Sequence, residues 1–150
     1  MLLIFVTVKV KDKFEFLFQN NISGSIVFSF YAYDGLTIAA GSYLTFHQSV
    51  VNDGNVFNGD TGTFTCSVNG YYEFTFTGNA YSTSQTYIKV EKNGNNARKF
   101  LDHLTDSLMS FTWIMKLSVG DTIRLYVEHG FIYRDSYHNS AFNGMLLRAT

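Results

Sequence analysis

The sequence contains no proline, a single cysteine and only 15% charged residues. Without proline, and without glycine at every third position, these residues cannot form a collagen-like triple helix. The lone cysteine, Cys66, excludes a disulfide within the chain, and its alternating apolar surroundings indicate a buried thiol. The formal net charge is −1 and no basic block is present, so the electrostatic footprint of a nucleic-acid-binding protein is missing.

The apolar run at the amino end, Met1 to Val8, stops at Lys9 and is too short to cross a bilayer. It also lacks the basic start, the longer apolar core and the small-residue cleavage site of a signal peptide. A truncated signal, an artefact of the assigned start and an extra strand remain open as explanations. We therefore expect a short N-terminal segment, residues 1–21, and a single domain, residues 22–150.

Aromatic residues are abundant, at 17% of the chain with 15 Phe and 10 Tyr. This composition, with many glycine turns and little charge, favours an all-β domain. A monomer of this kind exposes large apolar patches, which usually mark an interface, although an unusually large core is the alternative.

Short stretches of alternating apolar and polar residues predict about ten β-strands and no helix. Ile26, Phe28 and Phe30 share one face of the first strand, and Asn93-Gly94 suits a tight hairpin turn. Strands at this spacing indicate a sandwich or a jelly roll. The predicted core comprises Phe28, Phe30, Phe46, Phe57, Phe64, Cys66, Tyr72, Phe74, Phe76, Trp113, Leu125, Phe142 and Leu146. The tyrosines expected to face away from it are Tyr31, Tyr33, Tyr71, Tyr87 and Tyr126.

A set of aromatic, asparagine and glycine residues recurs at fixed spacing through the middle and end of the chain. Its members are Phe46, Asn52, Phe57, Phe64, Gly70, Tyr72, Phe74, Phe76, Phe142 and Gly144. Residues 26–30, 117–121 and 140–147 add further matched blocks in the same order. Together these blocks, which cover about residues 22–148, resemble the globular head domain of complement component 1q, within the tumour necrosis factor-like superfamily.

The resemblance implies an all-β, ten-stranded jelly-roll β-sandwich that forms trimers, either homotrimers or heterotrimers. It also implies a secreted, non-enzymatic domain that captures carbohydrate, microbial surfaces or proteins, in innate immunity, without membrane insertion. One alternative is a trimeric extracellular signalling ligand for a cell-surface receptor. A second alternative is a structural or matrix module assembled through its heads.

Calcium is the cofactor that the resemblance allows, although none is required. Several members of the family bind calcium near the trimer apex, and the positions that match best here are Asp102 and Asp106. Calcium prefers oxygen ligands, so two carboxylates near a threefold axis suit it. The alternative is that both are ordinary solvated loop carboxylates.

The segment 130–139 mixes aromatic and polar residues and is the candidate ligand-binding loop. Its candidate contacts are Tyr133, Arg134, Asp135, Tyr137 and His138. Aromatic rings give contact area at low entropic cost, which suits ligand binding. A long connection without a binding role is the alternative.

Enzyme chemistry finds little support in the sequence. The four histidines, His47, His103, His129 and His138, lack the close His pair that a cupin-type metal site needs. No Gly-x-Ser-x-Gly elbow surrounds a serine. We therefore expect no catalytic residues and keep a metal-dependent enzyme only as a remote third class.

Overall fold

The computed structural model describes residues 25–80, 85–103, 107–134 and 140–150, so the predicted N-terminal segment 1–21 lies outside the described residues. Within these ranges the chain forms 13 strands and one 3-10 turn at Asp53–Asn55. The strands are β1 Val27–Ala32, β2 Thr37–Ala39, β3 Ser42–Tyr43, β4 Gln48–Asn52, β5 Phe57–Asn58, β6 Thr63–Thr65, β7 Gly70–Ala80, β8 Thr86–Lys92, β9 Asn95–Asp102, β10 Ser107–Leu117, β11 Thr122–His129, β12 Phe131–Tyr133 and β13 Ser140–Ala149.

The strands form two antiparallel sheets that pack face to face. Sheet A runs β10–β7–β13–β1–β4, and β12 and β2 continue it from the carboxyl end of β7. Sheet B runs β5–β6–β11–β8–β9, and β3 also pairs with β11. This arrangement confirms the predicted all-β jelly roll. The described residues contain more strands than the ten expected because β2, β3, β5, β6 and β12 are separate pieces of two or three residues.

Strict alternation along the longest strands decides which side chains enter the core. On β7, Tyr72, Phe74 and Phe76 are buried, whereas Tyr71 and Glu73 point to the opposite face. A period of two residues places successive side chains on opposite sides of a sheet, so the sequence pattern determines the face. The predicted turn between β8 and β9 is also confirmed, since Asn93 and Gly94 adopt φ values of 53° and 76°.

The core is an aromatic cluster between the two sheets. Phe28 of sheet A lies at its centre, with ring centroids 4.7 Å from Phe57, 5.4 Å from Phe64 and 5.2 Å from Phe142. Twelve of the thirteen predicted core residues are buried. Leu146 is the exception, because it is only partly buried at a point where the register between β13 and β7 shifts.

Candidate recognition surfaces

The outer face of sheet A, across β10, β7, β13, β1 and β4, carries uncharged side chains, most of them small, over most of its width. Residues that pair across strands point to the same side, so the register defines rows on this face. One row comprises Thr112, Thr75, Asn143, Ser29 and Val51, and the next comprises Ser110, Thr77, Ala141, Tyr31 and Gln48. These two rows present a flat surface without a charged group.

Three large apolar side chains on the same face are open to solvent. Leu108 is 59% exposed, Ile114 is 52% exposed and Met145 is 43% exposed. Ile114 and Met145 flank Glu73 in one row, and Leu108 lies six residues away along β10, so the three are spread over the face. Together with the neutral rows they offer apolar area that an interface can bury.

The outer face of sheet B is different, because tyrosines and charged residues cover it. Arg124 stacks on the ring of Tyr43, with Cζ 3.3 Å from the centroid. Lys89 and Lys99 lie over two further rings, those of Tyr126 and Tyr87, at 5.5 Å and 4.7 Å. Each of these tyrosines therefore has a cation against it, which restrains the orientation of the ring.

The five tyrosines predicted to face away from the core do so; Tyr33 is exposed and the other four are half-buried.

Two carboxylates complete this face. Glu128 pairs with Lys99 and with Lys89, the latter at 2.9 Å, and both contacts lower the pKa of Glu128. The hydroxyl of Tyr43 donates to Glu91 at 2.8 Å, and this bond is the main reason why the pKa of Tyr43 is raised. The face is thus an ordered polar network of alternating rings and charges.

The predicted ligand loop, residues 130–139, contains β12 (Phe131–Tyr133), so the structure corrects its first part from a loop to a strand that pairs with β2 and β7. The structure places Tyr133 half-buried at the end of β12 and Arg134 in the interior, whereas Asp135, Tyr137 and His138 lie outside the described residues. Arg134 is only 3% exposed. Its guanidinium lies 2.6 Å from Asp34 and donates to Thr45 Oγ1 at 2.9 Å and to the Thr45 carbonyl at 3.2 Å.

These contacts with Asp34 and Thr45 indicate a structural role for Arg134. Its backbone also bonds to the β1–β2 loop, since Arg134 N–H donates to Leu36 O at 2.9 Å and Gly35 N–H donates to Arg134 O at 2.8 Å. The side chain and the backbone together join three separate segments. The prediction of ligand contact by this loop stays a prediction, and in the described structure Arg134 is directed inward.

The predicted calcium position is partly visible. Asp102 ends β9 and accepts a hydrogen bond from the Ser107 hydroxyl, whereas Asp106 lies outside the described residues. The neighbouring cleft between β9 and β10, about 370 Å³, has Phe100 and Phe111 stacked at 3.8 Å beside it. No group of three metal-ligating side chains occurs within the described ranges. Calcium binding stays a prediction.

Gln85 links two histidines, a relationship that sequence reasoning missed. Its side-chain amide nitrogen lies 2.8 Å from His103 Nδ1, and its backbone carbonyl oxygen lies 2.7 Å from His129 Nδ1. The Tyr87 hydroxyl donates to the side-chain oxygen of Gln85. His47 is elsewhere, 3.5 Å from Asp60, and His138 lies outside the described residues. No spacing rule pointed to this link, because the two histidines are 18 and 44 residues away from Gln85 in the chain.

Comparison with known proteins identifies sequence relatives over most of the chain. The family model of the C1q domain matches residues 17–147. A complement C1q subcomponent of Rattus norvegicus is 33% identical over 116 residues, which cover 73% of this chain and 45% of that protein. Complement C1q tumor necrosis factor-related protein 3 of Mus musculus is 30% identical over 113 residues, covering 73% and 46%. The chain spans about half the length of these curated relatives.

Solved structures support the same fold at lower sequence identity. The globular domain of zebrafish complement 1qA protein aligns with a TM-score of 0.67 at 21% identity, covering 85% of this chain and all of that one (100%). Eiger, a TNF of S. frugiperda, also aligns with a TM-score of 0.67, at 10% identity, covering 84% and 94%. The described residues contain no helix long and apolar enough to span a membrane.

Proposed function

The chain belongs to the C1q domain family, and we propose that it is a secreted, non-enzymatic recognition domain that works as a trimer. Its ligands are carbohydrate, microbial surfaces or proteins outside the cell, and its role is in innate immunity. The relatives named as complement C1q subcomponents support this choice. The trimer is a homotrimer in the simplest case, and related chains would allow a heterotrimer.

The contrast between the two outer faces is the observation that carries the proposal. Sheet A presents flat rows of small uncharged residues together with exposed Leu108, Ile114 and Met145. Sheet B presents tyrosines and paired charges. Burying the first face between copies removes apolar area from water, and the second face remains hydrated. A chain with two such faces suits an assembly in which sheet A meets its neighbours.

Trimerisation also explains how a small domain can capture a repetitive ligand. Three copies on one rigid body turn the second and third contacts into intramolecular events, which raises the avidity without new contacts. We assign the ligand contact to the segment 130–139, which includes Tyr133, and calcium to Asp102 at the end of β9 together with Asp106. Both assignments extend the family resemblance to residues of this chain.

The native mass in solution tests the assembly. Light scattering of the purified chain, with calcium and with a chelator, is expected to give the mass of a trimer under at least one condition. A monomer under both conditions would contradict the proposal. Isothermal titration of calcium into the wild type and Asp102→Asn then tests the metal, since calcium heat is expected only from the wild type.

Ligand capture is tested with immobilised bacterial cell-wall polysaccharide. The wild type is expected to bind, and Tyr133→Ala is expected to bind less with its trimer mass intact. Equal binding by the two proteins would remove this loop from the ligand site.

A signalling ligand is the second candidate, because relatives carry the name tumor necrosis factor-related protein and one structural neighbour is a TNF. Saturable binding to intact animal cells, without binding to the polysaccharide, would favour it over microbial recognition. A matrix module would instead show concentration-dependent growth beyond the trimer.

A further inference from the structure

The outer face of sheet A is uncharged except in one corner. Among the described residues of β10, β7, β13, β1 and β4 that point to this side, only Glu73, Lys116 and Arg148 are charged. Lys116 and Arg148 occupy the positions opposite Tyr71, one on each neighbouring strand. Glu73 is the next residue of β7 on the same face. One acid and two bases therefore lie together at the edge of a neutral surface.

The two bases are engaged by an aromatic ring rather than by a carboxylate. Lys116 Nζ lies 5.7 Å from the centroid of Tyr71, and Arg148 Cζ lies 4.9 Å from the same centroid. The ion pairs found within the described ranges include neither base and do not include Glu73. None of the three charged groups thus forms an ion pair within the described part of the protomer, although they lie close to one another.

Glu73 has apolar neighbours on both sides. Its partners in the register are Ile114 on β10 and Met145 on β13, and both are large and open to solvent. Contact with another copy would bury these two side chains and take Glu73 out of water with them. A carboxylate that loses its water without gaining a cation is strongly disfavoured, so a stable contact needs an opposite charge there.

We propose that Glu73 of each copy forms an ion pair with the Lys116 and Arg148 of the neighbouring copy. The inference rests on the proposed assembly through the outer face of sheet A. Glu73, Lys116 and Arg148 lie in one corner of the face, so the acid of one copy and the bases of the next can alternate around a threefold ring where that corner meets the axis. Opposite charges in these positions set the direction and the register of the contact, and they reject copies docked the wrong way.

Charge reversal in two separate chains tests the pairing in trans. The variant Glu73→Lys and the double variant Lys116→Glu/Arg148→Glu each place like charges at every contact of their own trimer. Because like charges across an interface are strongly unfavourable, we expect each variant alone to need at least about tenfold higher concentration for half-assembly. An equimolar mixture brings opposite charges together at two of the three contacts of each mixed trimer, so its light-scattering mass is expected to return part of the way toward that of the trimer.

Two controls separate this effect from a loss of folding. Asp60→Lys reverses an acid on an exposed turn and is expected to assemble like the wild type. The near-ultraviolet circular dichroism of each variant, dominated by the buried aromatic core, is expected to match that of the wild type. If a reversal variant fails to fold, Glu73→Gln replaces it, and its assembly is expected to be less sensitive to added salt than that of the wild type.

The outcomes distinguish the two proposals. A monomeric wild type overturns the assembly itself. A trimeric wild type whose Glu73→Lys variant assembles equally well overturns the ion pair alone. So does a mixture that gains no mass over the separate variants, since the charges would then act within one chain, and so does equal salt sensitivity of Glu73→Gln and the wild type.

Discussion

Gly144 lies directly against the ring of Phe28, and a Cβ at position 144 would stand 2.3 Å from Phe28 Cε1. The same Cβ would lie 2.8 Å from Cδ1 of Phe74. Gly144 is paired with Phe28 on one side and with Phe74 on the other, so both rings close over its Cα. A side chain here has no direction in which to move, because the interior is packed to the density of a crystal.

Gly144→Ala is therefore expected to lower the free energy of unfolding by about 1–3 kcal/mol, the usual range for an overpacked core. Urea denaturation followed by circular dichroism gives this value. Asn96→Ala, at an exposed position of β9, is the matched control and is expected to change stability by no more than about 0.5 kcal/mol. Equal midpoints for the two variants would show that the rings can move aside.

Asn52 closes the turn before β5 through two bonds to one residue. Its amide nitrogen donates to Phe57 O at 2.9 Å, and its amide oxygen accepts from Phe57 N–H at 3.1 Å. Asn52→Ala leaves both backbone groups of Phe57 without a partner, so we expect a loss of about 1–3 kcal/mol in urea unfolding. Asn52→Asp keeps the acceptor and loses the donor, so its stability at pH 7 should lie between those of Asn52→Ala and the wild type. A neutral Asn52→Ala would contradict this account.

Asp121 joins the turns at one end of the sandwich, and its ionisation is expected to make the stability of the fold depend on pH. The ion pair with Lys92 at 2.8 Å is the largest cause that lowers its pKa from 3.8 to about 2, followed by the Ser118 N–H and the Asn93 amide. A carboxyl group with a lowered pKa stabilises the fold above its unfolded pKa, and this contribution is lost as the pH falls through the folded value.

The expected difference in stability between the wild type and Asp121→Asn is thus constant above about pH 5 and shrinks between about pH 4 and pH 2. Thermal unfolding at a series of pH values measures it. Lys92→Met, which keeps the apolar stem and removes the charge, should raise the acid midpoint of the transition without abolishing it. A difference that stays the same down to pH 2 would refute the assignment to Asp121.

The sequence alone was enough to predict which face of each strand is buried. It was not enough to predict the roles of isolated polar residues. Tyr72, Phe74 and Phe76 were placed correctly because their positions depend on a local period of two residues. Arg134 stands among aromatic and polar residues and therefore resembled a ligand contact. Its burial depends on Thr45, 89 residues away in the chain, and on Asp34, and no local pattern encodes that approach.

The contrast between the outer faces of sheets A and B could not be predicted from the alternation of apolar and polar residues either. Alternation shows that Thr75 and Lys89 both point outward, but it does not show which strands lie side by side. Only the register assembles Thr112, Thr75 and Asn143 into one neutral row, and only the strand order brings Lys89 against Tyr126. The candidate assembly face thus depends on tertiary topology, whereas the core depends on local spacing.

A structural role and a ligand-binding role for Arg134 predict different effects of its substitution on stability and on binding. The guanidinium is buried, and it is held by Asp34 and Thr45. Arg134→Ala removes the bonds to the part-buried Thr45 acceptors, whereas the carboxylate of Asp34 is exposed and regains water. The variant is therefore expected to lower the free energy of unfolding by about 1–3 kcal/mol. Arg134→Lys keeps the charge but cannot reach both partners with one planar group, so its loss should be smaller. Urea unfolding of the two variants, together with polysaccharide binding under folded conditions, decides between the roles. A stable Arg134→Ala protein that no longer binds would show that Arg134 contacts the ligand. A destabilised protein that still binds would show that Arg134 stabilises the fold.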